Sequence, residues 1–281
     1  MKKSGRLFTF GCSMTAYMWP TWADVLGQHW EYFENWGHAG AGNNFIFNSL
    51  IECDARNKFV STDTILIMWA TIPRIDYYQQ NQWCHLVNKF SKDNKDLPYS
   101  CPDGYEILSY PLFSAADSFL QFKNVQYKFF SWVPYDNQSR AGLLYTSALS
   151  KMNLIKFTIE KKSIKSWKYF NEVKNLYERL YGPDWPSLEK ILTNNYVAKT
   201  QEIADEVTDF LNLIESDPHY KLHTYEVDYH PLPNEHLSAI AQMMPNIIIS
   251  AETMLWCEDI TQKILTDKFY QFNRKCAEER L

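Results

Sequence analysis

Residues Ile65-Leu66-Ile67-Met68-Trp69 form an uninterrupted apolar run inside the segment 63–70. Successive side chains of a strand point to opposite faces, so a strand with no polar alternation must be buried on both. An interior strand of a parallel sheet, covered by helices above and below, meets that requirement. Leu7-Phe8-Thr9-Phe10 is a shorter apolar run that reads as a buried strand, and Tyr32 to Trp36 reads as a further strand, ending at Gly37. Between the first two, Trp22 to Gln28 reads as a helix closed near Gly27. After the turn Gly37-His38-Ala39-Gly40-Ala41-Gly42-Asn43-Asn44, the residues Phe45, Ile46, Leu50 and Ile51 recur at helical spacing. Strands alternating with helical crossovers predict an α/β fold, a doubly wound, mainly parallel sheet between two helical layers.

Beyond the third strand the pattern loosens. Residues 77–137 are rich in proline, aromatic and polar side chains, including Leu97-Pro98-Tyr99 and Ser109-Tyr110-Pro111, and read as an insertion or elaborated loop. Helical spacing resumes over about 140–157 and 167–179, and again where Leu188, Ile191, Leu192, Ile203, Val207, Phe210 and Ile214 recur. A further helix is expected after Pro233, with Asn234 as its cap, and Ile260, Ile264, Leu265 and Phe269 mark a terminal amphipathic helix. The expected organisation is one domain, 1–281, whose insertion over about 77–220 covers the site.

Charge and composition narrow the partners. The chain has 28 basic and 33 acidic residues, a net charge of −5, and no long basic run, which argues against a nucleic-acid partner. The apolar runs fall far short of the roughly 20 residues of a membrane span, and the N-terminus does not read as a secretory signal. A cytoplasmic location is therefore expected. The six cysteines, at 12, 53, 84, 101, 257 and 276, contain no Cys-x-x-Cys pair, so reduced thiols are expected and no zinc cluster. His219 and His223 stand four apart but lack a third ligand at sensible spacing, so no metal and no cofactor is assigned. Aromatic residues make up 16% of the chain; most should fill the core, while some suit stacking on sugar rings.

Two short motifs carry chemistry. Gly11-Cys12-Ser13-Met14-Thr15 follows the first strand, so Ser13 sits in a turn where a parallel sheet delivers residues to a site. Asp228-Tyr229-His230-Pro231 places a carboxylate and an imidazole two residues apart. A serine hydroxyl is a weak nucleophile unless an imidazole takes its proton, and the imidazole needs a third group to fix its tautomer. Each residue also has a plainer use. Ser13 could cap a helix beginning near Thr15, Cys12 fits as a small buried residue, and His236 fits the surface at a helix start. Arg74 either binds an anionic substrate group or pairs with Asp76.

Gly-x-Ser-x-Thr after the first strand, Gly-x-Gly-Asn-Asn after the second, Trp-Ala-Thr-x-Pro-Arg after the third and the late Asp-x-His-Pro followed by a second histidine resemble the SGNH/GDSL hydrolases. The resemblance leaves about 80–225 unmatched. It implies a three-layer, flavodoxin-like α/β/α fold and a serine esterase, lipase or carbohydrate deacetylase with Ser13 as nucleophile, His230 as base and Asp228 as its partner. The oxyanion would be held by the Ser13 backbone N–H, by the turn around Gly40, and by Thr71, Asn43 or Asn44. Thr71 falls where the family carries an asparagine. Cys12 replaces a frequent aspartate, and one residue rather than two separates Asp228 from His230. Arg74 and Trp69 are the substrate-binding candidates.

Two functions follow as expectations. One is hydrolysis of an acyl ester, an O-acetyl group on a small molecule or glycan, through an acyl-enzyme at Ser13. The other is a non-catalytic binding or structural module on the same fold, serving a surface-glycan system or, if the chain comes from a phage, the virion.

Overall fold

The computed structural model describes residues 2–71, 74–80, 82–86, 102–135, 140–157 and 230–265; residues 86, 102–107, 140, 141 and 265 are described by their backbone alone. The chain divides into two units. The first takes in 1–89, 98–159 and 230–262 and contains nearly all the described residues. The second takes in 90–97, 160–229 and 263–281. The expected helices over 167–179 and 188–214, the pair His219 and His223, and Asp228 lie outside the described residues.

The apolar run of 65–69 does become the interior strand. Strand β3, Thr64–Trp69, is buried at every position. Strand β1, Lys3–Gly11, lies parallel to it with Phe8 beside Ile65 and Phe10 beside Ile67, and β2, Trp30–Asn35, flanks β1. On the other side of β3 come β6, Gln126–Ser131, and the three-residue edge strand β7, Met152–Leu154, both parallel as well. The sheet order is β2-β1-β3-β6-β7. Counting only strands of this sheet, the order is 2-1-3-4-5, that of flavodoxin-like doubly wound folds. The α/β class read from the apolar runs is the class observed.

Helices cover both faces. Helix α1, Trp22–Gly27, packs against α6, Pro233–Met243, while α2, Asn43–Asn57, packs against α3, Pro102–Phe122. Two short helices, α4 at Arg140–Leu144 and α5 at Thr146–Leu149, precede β7, and α7 spans Ala251–Leu265. A two-stranded antiparallel hairpin, β4 at Ile75–Gln79 and β5 at Gln82–Leu86, stands apart from the main sheet. No described helix is long and apolar enough to cross a membrane.

The segment 77–137 differs most from expectation. It holds the 21-residue α3 and the fourth strand of the sheet rather than an elaborated loop. Pro111 sits inside α3, where it removes one backbone donor. The helix persists because Tyr110, Phe113, Ala116 and Leu120 lie on one stripe and are all fully buried in the core. Over 140–157, what reads as one helical stretch resolves into α4, α5 and β7. At the start of α6 the capping group is not Asn234. Glu235 Oε2 instead accepts from the Leu232 N–H at 2.7 Å, and the Asn234 N–H donates to Thr261 Oγ1 at 3.2 Å.

Candidate active site at the carboxyl edge of the sheet

In a doubly wound sheet, the two connections that leave neighbouring strands in opposite directions open a crevice at the carboxyl ends. Here that crevice lies between β1 and β3. The loop after β1 carries Ser13, the loop after β2 carries the Gly37–Gly42 turn, and the residues after β3 are Ala70 and Thr71.

Ser13 occupies a tight turn. The Cys12 carbonyl accepts from the Thr15 N–H at 2.8 Å and the Ala16 N–H at 3.0 Å. No helix begins at Thr15. The next helix is α1, capped by Thr21 with Asp24, so Ser13 is not a helix cap. Ser13 is buried, and among the described residues neither its backbone N–H nor its hydroxyl has a hydrogen-bond partner. Cys12 is fully buried, in line with its plainer reading.

The β2 exit is tied to this turn. The Asn35 side chain donates to the Thr15 carbonyl at 2.9 Å and accepts from the Gly37 N–H at 3.0 Å, and the His38 N–H donates to the Gly11 carbonyl at 3.0 Å. Gly40 follows in a left-handed conformation, φ 83°, which a side chain would strain. Its N–H has no partner among the described residues.

His230 reaches the same loop from the far end of the chain. Its half-buried ring stacks on Tyr17 with centroids 3.7 Å apart and planes 12° from parallel. The neighbouring Pro231 carbonyl accepts from Trp19 Nε1 at 2.7 Å. Tyr17 and Trp19 belong to the loop that leaves Ser13, so His230 and Pro231 of the late motif lie against the loop that carries the first. Among the described residues no hydrogen bond joins Ser13 to His230.

Several candidates serve the fold instead. Trp69 is not a substrate-binding residue. It is fully buried on β3, packed against Phe113 at 4.6 Å and Phe129 at 5.7 Å. Asn43 is not a free oxyanion donor either. Its Oδ1 accepts from the Ala70 N–H at 2.9 Å and its Nδ2 donates to Ser109 Oγ at 3.2 Å, so it clamps the end of β3 to α2 and α3. Tyr135 closes the same corner, donating to the Ala70 carbonyl at 2.5 Å, and burial drives its hydroxyl well above the ordinary phenol range. Thr71 is half-buried, and its hydroxyl is without a hydrogen-bond partner among the described residues.

Arg74 and Asp76 do not pair with each other. Arg74 Nη1 donates to the Ala41 carbonyl at 3.1 Å, and Asp76 bonds His85 Nδ1 at 2.7 Å. His236 is likewise not a surface residue. It is 1% exposed, sets its ring edge-on to Phe157 at 5.5 Å, and leaves Nδ1 without a partner. Burial first, then the neighbouring His230, push its pKa down to about 3 against a weaker opposing pull from the Pro231 carbonyl. A base that stays neutral across the working pH range cannot be the titrating member of the site.

The hairpin residues Asp76 and His85 and the loop ring of Tyr17 left no trace in periodicity or motif, because each acts across a long sequence separation. The sequence matches no family model and no curated protein.

Proposed function

We propose that the protein is a serine hydrolase that cleaves an acyl ester through an acyl-enzyme at Ser13. The observation that carries this reading is the stacking of His230 on Tyr17, four residues after Ser13 on the loop that leaves the carboxyl end of β1. In this reading Ser13 Oγ attacks the ester carbonyl carbon while His230 takes its proton. The oxyanion is received by the N–H groups of Ser13 and Gly40, both unpartnered among the described residues, with the Thr71 hydroxyl as a third donor. Collapse expels the alcohol, protonated by the imidazolium, and a water activated by His230 then releases the acid. Asp228 is expected to orient His230. The hydroxyl and the imidazole must close to hydrogen-bonding reach when substrate binds, as apo sites often require.

For the substrate we favour an O-acetyl or similar ester on a carbohydrate. The hairpin of β4 and β5 carries Tyr77 and Tyr78, both exposed, with Trp83 half-exposed beside Tyr78 at 5.5 Å, and such rings suit sugar faces.

One observation favours a second reading, a non-catalytic binding module. Ser13 and His230 lack a hydrogen bond in this conformation. The decisive assay is hydrolysis of a short-chain chromogenic acyl ester by the purified protein and by Ser13→Ala, with fluorophosphonate labelling of Ser13 followed by mass spectrometry. Turnover and labelling that disappear in the variant support the enzyme. Absence of both in the unmodified protein refutes it in favour of the binding module.

A further inference from the structure

The Gly37–Gly42 turn is fastened at several points, from β1, from Arg74 and from the hairpin. Asp76 on β4 is fully buried, and its carboxylate accepts three bonds. These come from the Gly42 N–H at 2.8 Å, the Phe45 N–H at 2.8 Å and His85 Nδ1 at 2.7 Å. A carboxylate receiving Gly42 and Phe45 acts as the N-terminal cap of α2, delivered from 31 to 34 residues away, because Gly42 itself has no side chain to cap with. Gly42 is required by the contact: a Cβ there would stand 2.7 Å from Asp76 Oδ2 and 3.0 Å from the Arg74 carbonyl.

Capping alone does not account for Arg74. Its guanidinium donates to the Ala41 carbonyl at 3.1 Å, a bond that adds nothing to α2 but holds the preceding peptide of the turn. Its own N–H donates to the Thr71 carbonyl at 3.3 Å. On the other side, the His38 N–H is held by Gly11 and the Ala41 N–H by the His38 carbonyl. Residues 38, 41 and 42 are thus fixed by Gly11 on β1, by Arg74 and by Asp76 on β4, and between them the amides of Ala39 and Gly40 alone are unpartnered among the described residues.

We propose that Arg74 and Asp76 are positioning residues that hold the Gly40 amide, and through the Thr71 backbone the third donor, in place to receive the oxyanion. This rests on the Ser13 hydrolase reading. An oxyanion hole works because its donors are oriented before charge develops, so a turn free to shift loses transition-state stabilisation more than substrate binding. Asp76→Asn cannot substitute for the carboxylate, since its NH2 group would face at least one of the three donors.

The test uses the full chain and a short-chain p-nitrophenyl ester. Removing one oxyanion donor costs about a hundredfold to a thousandfold in kcat, so loosening one should lower kcat about tenfold to a hundredfold in Asp76→Asn and in Arg74→Ala, with KM nearly unchanged. Affinity for an alkyl boronic acid, which mimics the tetrahedral adduct, should fall in parallel. Arg74→Lys, which restores a donor, should recover most of the Arg74→Ala loss. His85→Ala leaves Asp76 bonded to both backbone amides and should retain most of the activity. If Asp76→Asn does not fold, the Arg74 pair carries the test.

An unmodified protein that turns over ester while Arg74→Ala and Asp76→Asn keep their kcat overturns this inference and leaves the Ser13 reading standing. A His85→Ala loss as large as that of Asp76→Asn overturns it too, because Asp76 would then act through the imidazole. An unmodified protein that neither hydrolyses ester nor reacts with fluorophosphonate overturns the Ser13 reading, and this inference with it.

Discussion

His236 makes folding stability depend on pH in a direction and size that can be stated. Its folded pKa is lowered to about 3, chiefly by burial, while an exposed histidine titrates near 6.5. As pH falls below 6.5 the unfolded chain binds a proton that the folded chain refuses until about pH 3. The contribution is therefore fully present above the unfolded pKa and is lost as pH falls toward the folded one. Over the interval from pH 7 to pH 5, linkage at 1.36 kcal/mol per pH unit, integrated through the unfolded titration, gives a loss of about 2 kcal/mol. His29, lowered mainly by burial, pulls in the same direction, so the informative quantity is a difference between proteins. Urea unfolding followed by tryptophan fluorescence at both pH values would be compared for the unmodified protein and His236→Phe, which keeps a ring against Phe157 but cannot titrate. The variant should lose about 2 kcal/mol less between pH 7 and pH 5. Equal losses in the two proteins would refute a buried, neutral His236.

Three further outcomes follow from the packing. Trp69→Ala should cost about 3–5 kcal/mol by urea unfolding, the cost of emptying a core position, which separates it from a substrate-contacting residue that would alter KM alone. Gly42→Ala should cost about 1–3 kcal/mol in the same assay, because its new methyl meets Asp76 and the Arg74 carbonyl. Cys53 and Cys257, whose thiols burial pushes up to about 12 and about 11, should resist iodoacetamide at pH 8 in the folded protein and react once it is unfolded, as read by mass spectrometry.

The apolar runs were readable because the requirement they express is local. A strand apolar at every position must be covered on both faces wherever the chain puts it, and β1 and β3 satisfy that. Ser13 was likewise readable, since a glycine-serine turn after a buried strand falls at a sheet edge in this fold class. The segment 102–131 was not. Pro111 and the surrounding aromatic residues resemble loop punctuation, and the buried stripe of α3 has meaning only against the rings that cover it, Trp69 on β3 with Tyr135 and Tyr145.

Site assignments failed where one position could serve two partners. Trp69 and Asn43 stand next to the crevice in sequence, as a site residue would. Yet the Trp69 ring is enclosed by Phe113 and Phe129, and the Asn43 amide is consumed by Ala70 and Ser109. His236 reads as a surface residue from its place at a helix start, but α6 turns that face inward toward Phe157. Asp76 shows the limit most clearly. Its sequence neighbour Arg74 offers an ion pair, whereas the folded chain offers two backbone amides and an imidazole that share its buried carboxylate. Hydrophobic pattern is a property of a segment and survives in any context, so the α/β class was fixed by the order of residues. Hydrogen-bond partners depend on which distant groups are brought within about 3 Å, and that choice was made by the packing of the sheet, its helices and the hairpin.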